Sequence, residues 1–120
     1  MTIGFTGTRN GMSQAQARQF KAVMAWLRSG FDGEFHHGAA TGSDSDAADI
    51  VLRSYPEYSI VRHPANGNPL ARNRAIVAAS DILIAAPESD TEQLRSGTWA
   101  TVRYARAKGI PIVMLSRGAK

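Results

Sequence analysis

Apolar residues fall in short runs and helical stripes that alternate along the whole chain. Thr2 to Thr6 is a mostly apolar run of strand length that passes directly into Gly7-Thr8-Arg9, the pattern of a buried strand delivering a turn at its carboxyl end. Ser13, with Gln16 three residues on, forms a capping box. Ala17, Phe20, Val23, Met24 and Leu27 follow at helical spacing, which predicts a helix to about Ser29 with Gly30 as its stop. Glu34 to His37 predicts a short second strand, and about Ser43 to Ser54 a second helix. Tyr58 to Arg62 predicts a third strand, ended by His63-Pro64. After the turn residues Asn66-Gly67-Asn68-Pro69, a helix carries Leu70 to Ala79. Asp81 to Ala85 predicts a fourth strand and Pro87 to Ser96 a long polar loop. Thr98 to Lys108 predicts a last helix closed by Gly109, and Ile110 to Leu115 a fifth strand.

Five strands joined by crossovers of helical length imply an α/β fold. The expectation is a single Rossmann-like domain over residues 1–120: a five-stranded parallel sheet in the order 3-2-1-4-5, with helices on both faces. At 120 residues the chain is near the usual size of one domain. It contains no cysteine, which excludes disulfides and thiolate metal sites. No basic segment followed by an apolar run opens the chain and no window reaches the length of a membrane span, so a cytoplasmic protein without a membrane partner is expected.

Charge adds a bias toward anions. The formal charge is +4, and 11 of the 14 basic residues are arginine, whose planar fork suits phosphate and carboxylate. The arginines are scattered, with no basic run or long basic helix face, which argues against nucleic acid as the sole partner.

Three loops of small residues fall at strand ends: Gly7-Thr8-Arg9, then Gly38-Ala39-Ala40-Thr41-Gly42-Ser43-Asp44, then Ser96-Gly97-Thr98. Open α/β sheets bind anionic ligands at this edge. The first loop lacks G-x-G-x-x-G spacing, and the second strand ends in Gly38 where a dinucleotide fold places an acidic ribose ligand. The second loop lacks the spacing and lysine of a P-loop. His36 and His37, adjacent on a strand, point to opposite faces, so only one of them can meet His63 and no metal or other cofactor is expected.

What remains is a set of donors. Backbone N–H groups at Gly7, Thr8, Gly42 and Thr98, the hydroxyls of Thr8, Ser43 and Thr98, and the forks of Arg9 and Arg72 or Arg74 can surround a phosphate or ribose. Arg72 and Arg74 diverge by about 200° on a helix, so at most one faces a cleft. Asp44 and Asp46 sit where the helix macrodipole favours acids. Trp99 opens the last helix, placed either to stack on a base or to make an interface or lid contact.

This motif series, together with Arg72-Asn73-Arg74 before an apolar strand, resembles the SLOG superfamily, which includes the LOG-type (lysine-decarboxylase-like) nucleotide hydrolases, the Rossmann domain of DNA-processing protein A and nucleotide-sensing domains of antiviral systems. The resemblance implies a nucleotide or nucleotide-derived ligand, such as an ADP-ribose-type signal, held by Gly7, Thr8, Arg9, Gly38, Ala39, Gly42, Ser43, Asp44, Arg72, Asn73, Ser96, Gly97 and Thr98. It also implies a homo-oligomer, for which Trp26, Trp99 and Tyr104 offer apolar surface. The LOG-type hydrolases carry P-G-G-x-G-T-x-x-E. Here Gly97-Thr98 matches the G-T, Ser96 is not part of a double glycine, and Thr101 stands where the catalytic glutamate belongs. The expectation is therefore a sensor or sequestering protein that binds without turnover. The alternative is a phosphoribohydrolase or N-glycosidase with a relocated carboxylate, drawn from Asp44, Glu88, Asp90 or Glu92. Single-stranded DNA binding is the third reading.

Overall fold

The structure, a computed structural model, describes residues 1–27, 33–39, 42–65 and 67–118. Among these residues nine elements alternate: β1 (Thr2–Gly7), α1 (Gln14–Leu27), β2 (Gly33–His37), α2 (Ser43–Ser54), β3 (Tyr58–Arg62), α3 (Pro69–Ala79), β4 (Ile82–Ala86), α4 (Gly97–Lys108) and β5 (Ile112–Met114). The strands form one sheet in the order β3-β2-β1-β4-β5, and every neighbouring pair is parallel. This is the Rossmann-like architecture expected from the alternation of elements.

Local chemistry sets the element ends. Ser13 Oγ accepts from Gln16 N at 3.0 Å, and Gln16 Oε1 accepts from Ser13 N at 3.0 Å, so the capping box forms. The helix stop expected at Ser29 and Gly30 lies outside the described residues. In α3 the Asn68 side chain accepts from Ala71 N and Pro69 takes the first turn, one residue before the expected start, because a proline there lacks only an N–H that would be unpaired anyway. Ser96 caps α4 by accepting from Trp99 N, and Gly109 closes it in the left-handed conformation. The fifth strand is shorter than expected. Pro111 has no N–H to give, although its carbonyl still accepts from Leu83 N, and the ladder proper begins at Ile112.

Strand order reverses between β1 and β4, and the helices divide accordingly. Phe20, Met24 and Leu27 of α1 and Ala47 and Val51 of α2 pack with Ile3, Phe5, Phe35, Ile82 and Ile84 on one face. Val77 of α3 and Ala105 of α4 pack on Leu83, and Trp99 and Val102 of α4 pack on Ala85, on the other. Alternate residues of β4 thus serve opposite faces, as a strand buried on both sides requires. Phe5, Phe20 and Phe35 form a triangle with ring centroids 5.6 to 6.0 Å apart, and each such pair adds about 0.5–1.5 kcal/mol beyond its burial. Gly4 admits the opposite layer: a Cβ there would meet Ile76 of α3 and Ser80 at its C-cap. No described helix is long and apolar enough to cross a membrane.

Candidate ligand-binding cleft

Where the strand order reverses, between β1 and β4, a crevice lies at the carboxyl edge of the sheet. It is a cleft of about 540 Å³, within the roughly 300–1,000 Å³ common for small-molecule sites. Gly7 to Asn10 form one wall, Asp44 and the start of α3 (Pro69, Arg72 and Asn73) a second, and Glu88, Gln93, Arg95 and the start of α4 (Ser96, Gly97 and Thr98) a third. Three arginines face two carboxylates in this lining. The side chains of Arg9 and Arg95 make no hydrogen bond or ion pair among the described residues.

The α4 end adds backbone donors. Ser96 Oγ takes Trp99 N at 3.2 Å and Ser96 O takes Ala100 N at 2.9 Å. The Gly97 and Thr98 N–H groups have no acceptor among the described residues, and they stand at the positive end of the helix dipole. An anion is the natural complement of such a site.

Arg72 is held by its own surroundings. Its Nε donates to Asn73 Oδ1 at 2.6 Å, and its Nη1 donates to the carbonyl of Gly38. A Cβ at Gly38 would lie 2.7 Å from the Arg72 Cζ, so glycine there makes room for the guanidinium. Arg74, on the diverging side, lies over the Tyr104 ring at 5.5 Å. The divergence expected of the two arginines is what the helix delivers.

Glu88 is the carboxylate most directly tied to the first loop. Its Oε1 accepts from Thr8 Oγ1 at 2.8 Å and from Asn10 Nδ2 at 2.7 Å. The Asn10 amide, then the Thr8 hydroxyl, then the more distant Arg117 charge hold it below the usual carboxylate range. It is therefore ionised at neutral pH, beside the glycine and arginine of the turn. Asp44 is also at the cleft, but buried, where it accepts from Gly38 N at 2.9 Å and ties the second loop to α2. Asp90 lies outside, pinned to Ser116 Oγ at 2.9 Å and Arg117 N at 2.8 Å beside a smaller cavity of about 230 Å³. Glu92 pairs with Arg103 and Arg106 on α4.

Several other expected site residues fall elsewhere. Ser43 is fully buried and its hydroxyl finds no partner among the described residues. It packs beneath Gly7, where a Cβ would come within 2.5 Å of the Ser43 Cβ. Gly42, with φ 84°, brings its Cα against the Arg9 carbonyl, so the first two loops meet backbone to backbone. Ala39 lines a separate shallow hollow with His37 and Arg62; Ala40 and Thr41 lie outside the described residues. Trp99 is buried, with its indole N–H donating to Ser89 O at 3.2 Å, and it lines the smaller cavity beside Asp90 rather than the main cleft. Thr101 is also buried. Its hydroxyl bonds back to Gly97 O at 2.9 Å and it lines the groove between α3 and α4.

The histidines separate as their strand positions require. His36 Nδ1 lies 2.7 Å from His63 Nε2, and His36 Nε2 lies 2.9 Å from Glu34 Oε1. His37, on the opposite face, accepts from Ala39 N through Nδ1 at 3.0 Å. Burial, then Arg62 and the other histidines, lower its pKa to about 4. Burial, His36 and Arg72 lower that of His63.

Asn10, Gln93, Arg95 and Arg117 have no signal in the sequence. Arg117, from the segment after β5, donates to Gly11 O and Gln16 Oε1 and approaches Glu88 at 3.9 Å. No protein-family model matches the chain, and no curated protein matches it. The class of molecule is therefore set by the fold and its cleft: a Rossmann-like α/β protein with an arginine-lined crevice at its switch point.

Proposed function

We propose that this protein binds a nucleotide or nucleotide-derived ligand in the cleft over β1 and β4 and holds it without turnover, as a cytoplasmic sensor or sequestering protein. The observation that carries the reading is the pairing, across one crevice, of Arg9 with the Gly97 and Thr98 N–H groups, none of which has a partner among the described residues. These are donors without acceptors, suited to a phosphate. The motif series that resembles the SLOG superfamily supports the same ligand class. Arg9, beside the Gly7-Thr8 turn, holds one phosphate, and Gly97 and Thr98 hold another or the far side of the same one; Thr8 itself donates to Ala86 O through its N–H and to Glu88 through its hydroxyl, so it orders the turn and gives the phosphate no donor. A homo-oligomer fits this reading, with Trp26 exposed on α1.

Hydrolysis of an N-glycosidic bond is the second reading, and Glu88 favours it by bringing a carboxylate to the cleft while Thr101 contributes none. Its chemistry is unhelpful for proton transfer, however. A carboxylate held ionised by Asn10 and Thr8 is a weak general base and no general acid at neutral pH. Equilibrium dialysis against nucleoside monophosphates, ADP-ribose and its cyclic forms, with mass spectrometry of both chambers, separates the readings. One intact ligand enriched with the protein is the expected result; free base and ribose phosphate would establish the hydrolase instead.

A further inference from the structure

An anion cleft that contains an ionised carboxylate must use it on something other than phosphate. Glu88 has this position. Its side chain is 46% exposed and lines the cleft beside Thr8 and Asn10. Both of its hydrogen bonds fall on Oε1. Oε2 has Arg117 Nη2 at 3.9 Å, beyond hydrogen-bond reach, and no donor among the described residues. An ionised carboxylate offers about four lone-pair sites, so this group retains acceptor capacity. A phosphate oxygen at the same point would meet a like charge. The complementary group is a neutral donor, and O–H···O⁻ bonds are among the stronger hydrogen bonds available.

The position of Glu88 selects among neutral donors. It shares the β1 turn with Thr8 and Asn10, so whatever it bonds lies next to the anion held by Arg9 and the α4 N-terminus. In a 5′-nucleotide the group adjoining the phosphate is the sugar, and the base lies farther out. We propose that Glu88 accepts a hydrogen bond from the 2′-hydroxyl of the ligand's ribose, so that the cleft selects ribonucleotides over deoxyribonucleotides. This rests on the nucleotide-binding reading and narrows it. Single-stranded DNA and inorganic phosphate both lack a 2′-hydroxyl.

The test is calorimetric titration of the whole protein with AMP, ADP, their 2′-deoxy counterparts and inorganic phosphate, repeated with Glu88→Gln. Wild-type protein should bind a ribonucleotide at least tenfold more tightly than its 2′-deoxy form. Glu88→Gln should narrow that ratio severalfold while leaving the deoxy form bound as well or better, since a like charge near the phosphate is gone. A urea midpoint for the variant within error of wild type shows that the fold is intact. Equal wild-type affinity for ribo and deoxy forms would overturn the sugar assignment and leave nucleotide binding standing. Failure of all four nucleotides to bind would overturn both.

Discussion

Gly42→Ala isolates the packing that seats the first loop against the second. Gly42 has φ 84° and ψ −124°, a region essentially restricted to glycine, and a side chain there costs about 1–3 kcal/mol in backbone strain. A Cβ would also run into the Arg9 backbone, with even the Arg9 Cα only 2.9 Å away; because backbone cannot rotate aside as a side chain can, the overlap adds about 1–3 kcal/mol. The expected loss is roughly 2–6 kcal/mol in total, or a fall of about 3–5 °C in Tm per kcal/mol for a chain of this size. Gly109→Ala is the control. Gly109 also has positive φ, 78°, but a Cβ there meets nothing within 4 Å, so only the left-handed penalty of about 1–2 kcal/mol applies. Urea unfolding followed by circular dichroism should therefore show Gly42→Ala as clearly the less stable of the two. Equal losses would refute the close approach of the loops, and with it the seating of Arg9.

Three further outcomes follow. Arg9→Ala removes an exposed side chain without described partners, so stability should change by less than about 0.5 kcal/mol, while affinity for AMP falls about 10- to 100-fold by titration, as expected for a lost charge-assisted bond to phosphate. Gln16→Ala should cost about 2–4 kcal/mol in urea unfolding, because fully buried Gln16 donates to Pro87 O and Leu115 O and accepts from Arg117. His37 is held near pKa 4 in the fold against 6.5 when unfolded, so the unfolded chain binds the extra proton between these values. Its stabilising contribution is complete above pH 6.5, falls as pH drops toward 4, and amounts to on the order of 2–3 kcal/mol at most; His63 shifts in the same direction. His37→Asn, measured by urea midpoints from pH 7 to pH 4, should flatten this slope, and an unchanged slope would assign it elsewhere.

The architecture was legible because each element carries a local signal. The Ser13 and Gln16 cap, the helical stripe through Phe20 and Met24, and the terminal Gly109 are contacts within a few residues of one another. The five strands appear within two residues of their expected ends; the late start of β5 follows from Pro111, as the early start of α3 follows from Pro69. The cleft was legible only in part. Glycine and arginine at strand ends mark the switch point, but a residue type does not report which way its side chain is buried. Ser43 reads as a donor and packs under Gly7; Trp99 reads as a stacking candidate and fills the α4 side of the core. Glu88 was one of several acids in a polar loop, and only its contact with Thr8 and Asn10, some 80 residues away in sequence, sets it apart from Asp90 and Glu92. Arg117 reaches the same region from beyond the last strand, where no periodicity announces a contact.

The most direct measurement of the central claim is a ¹⁵N-labelled chemical-shift titration of the protein with AMP. The account requires the largest changes at the amides of Thr8, Arg9, Asn10, Gly97 and Thr98, saturating together with a single affinity. Changes confined to the hollow around His37, Ala39 and Arg62, or spread evenly over the surface without saturation, would contradict it.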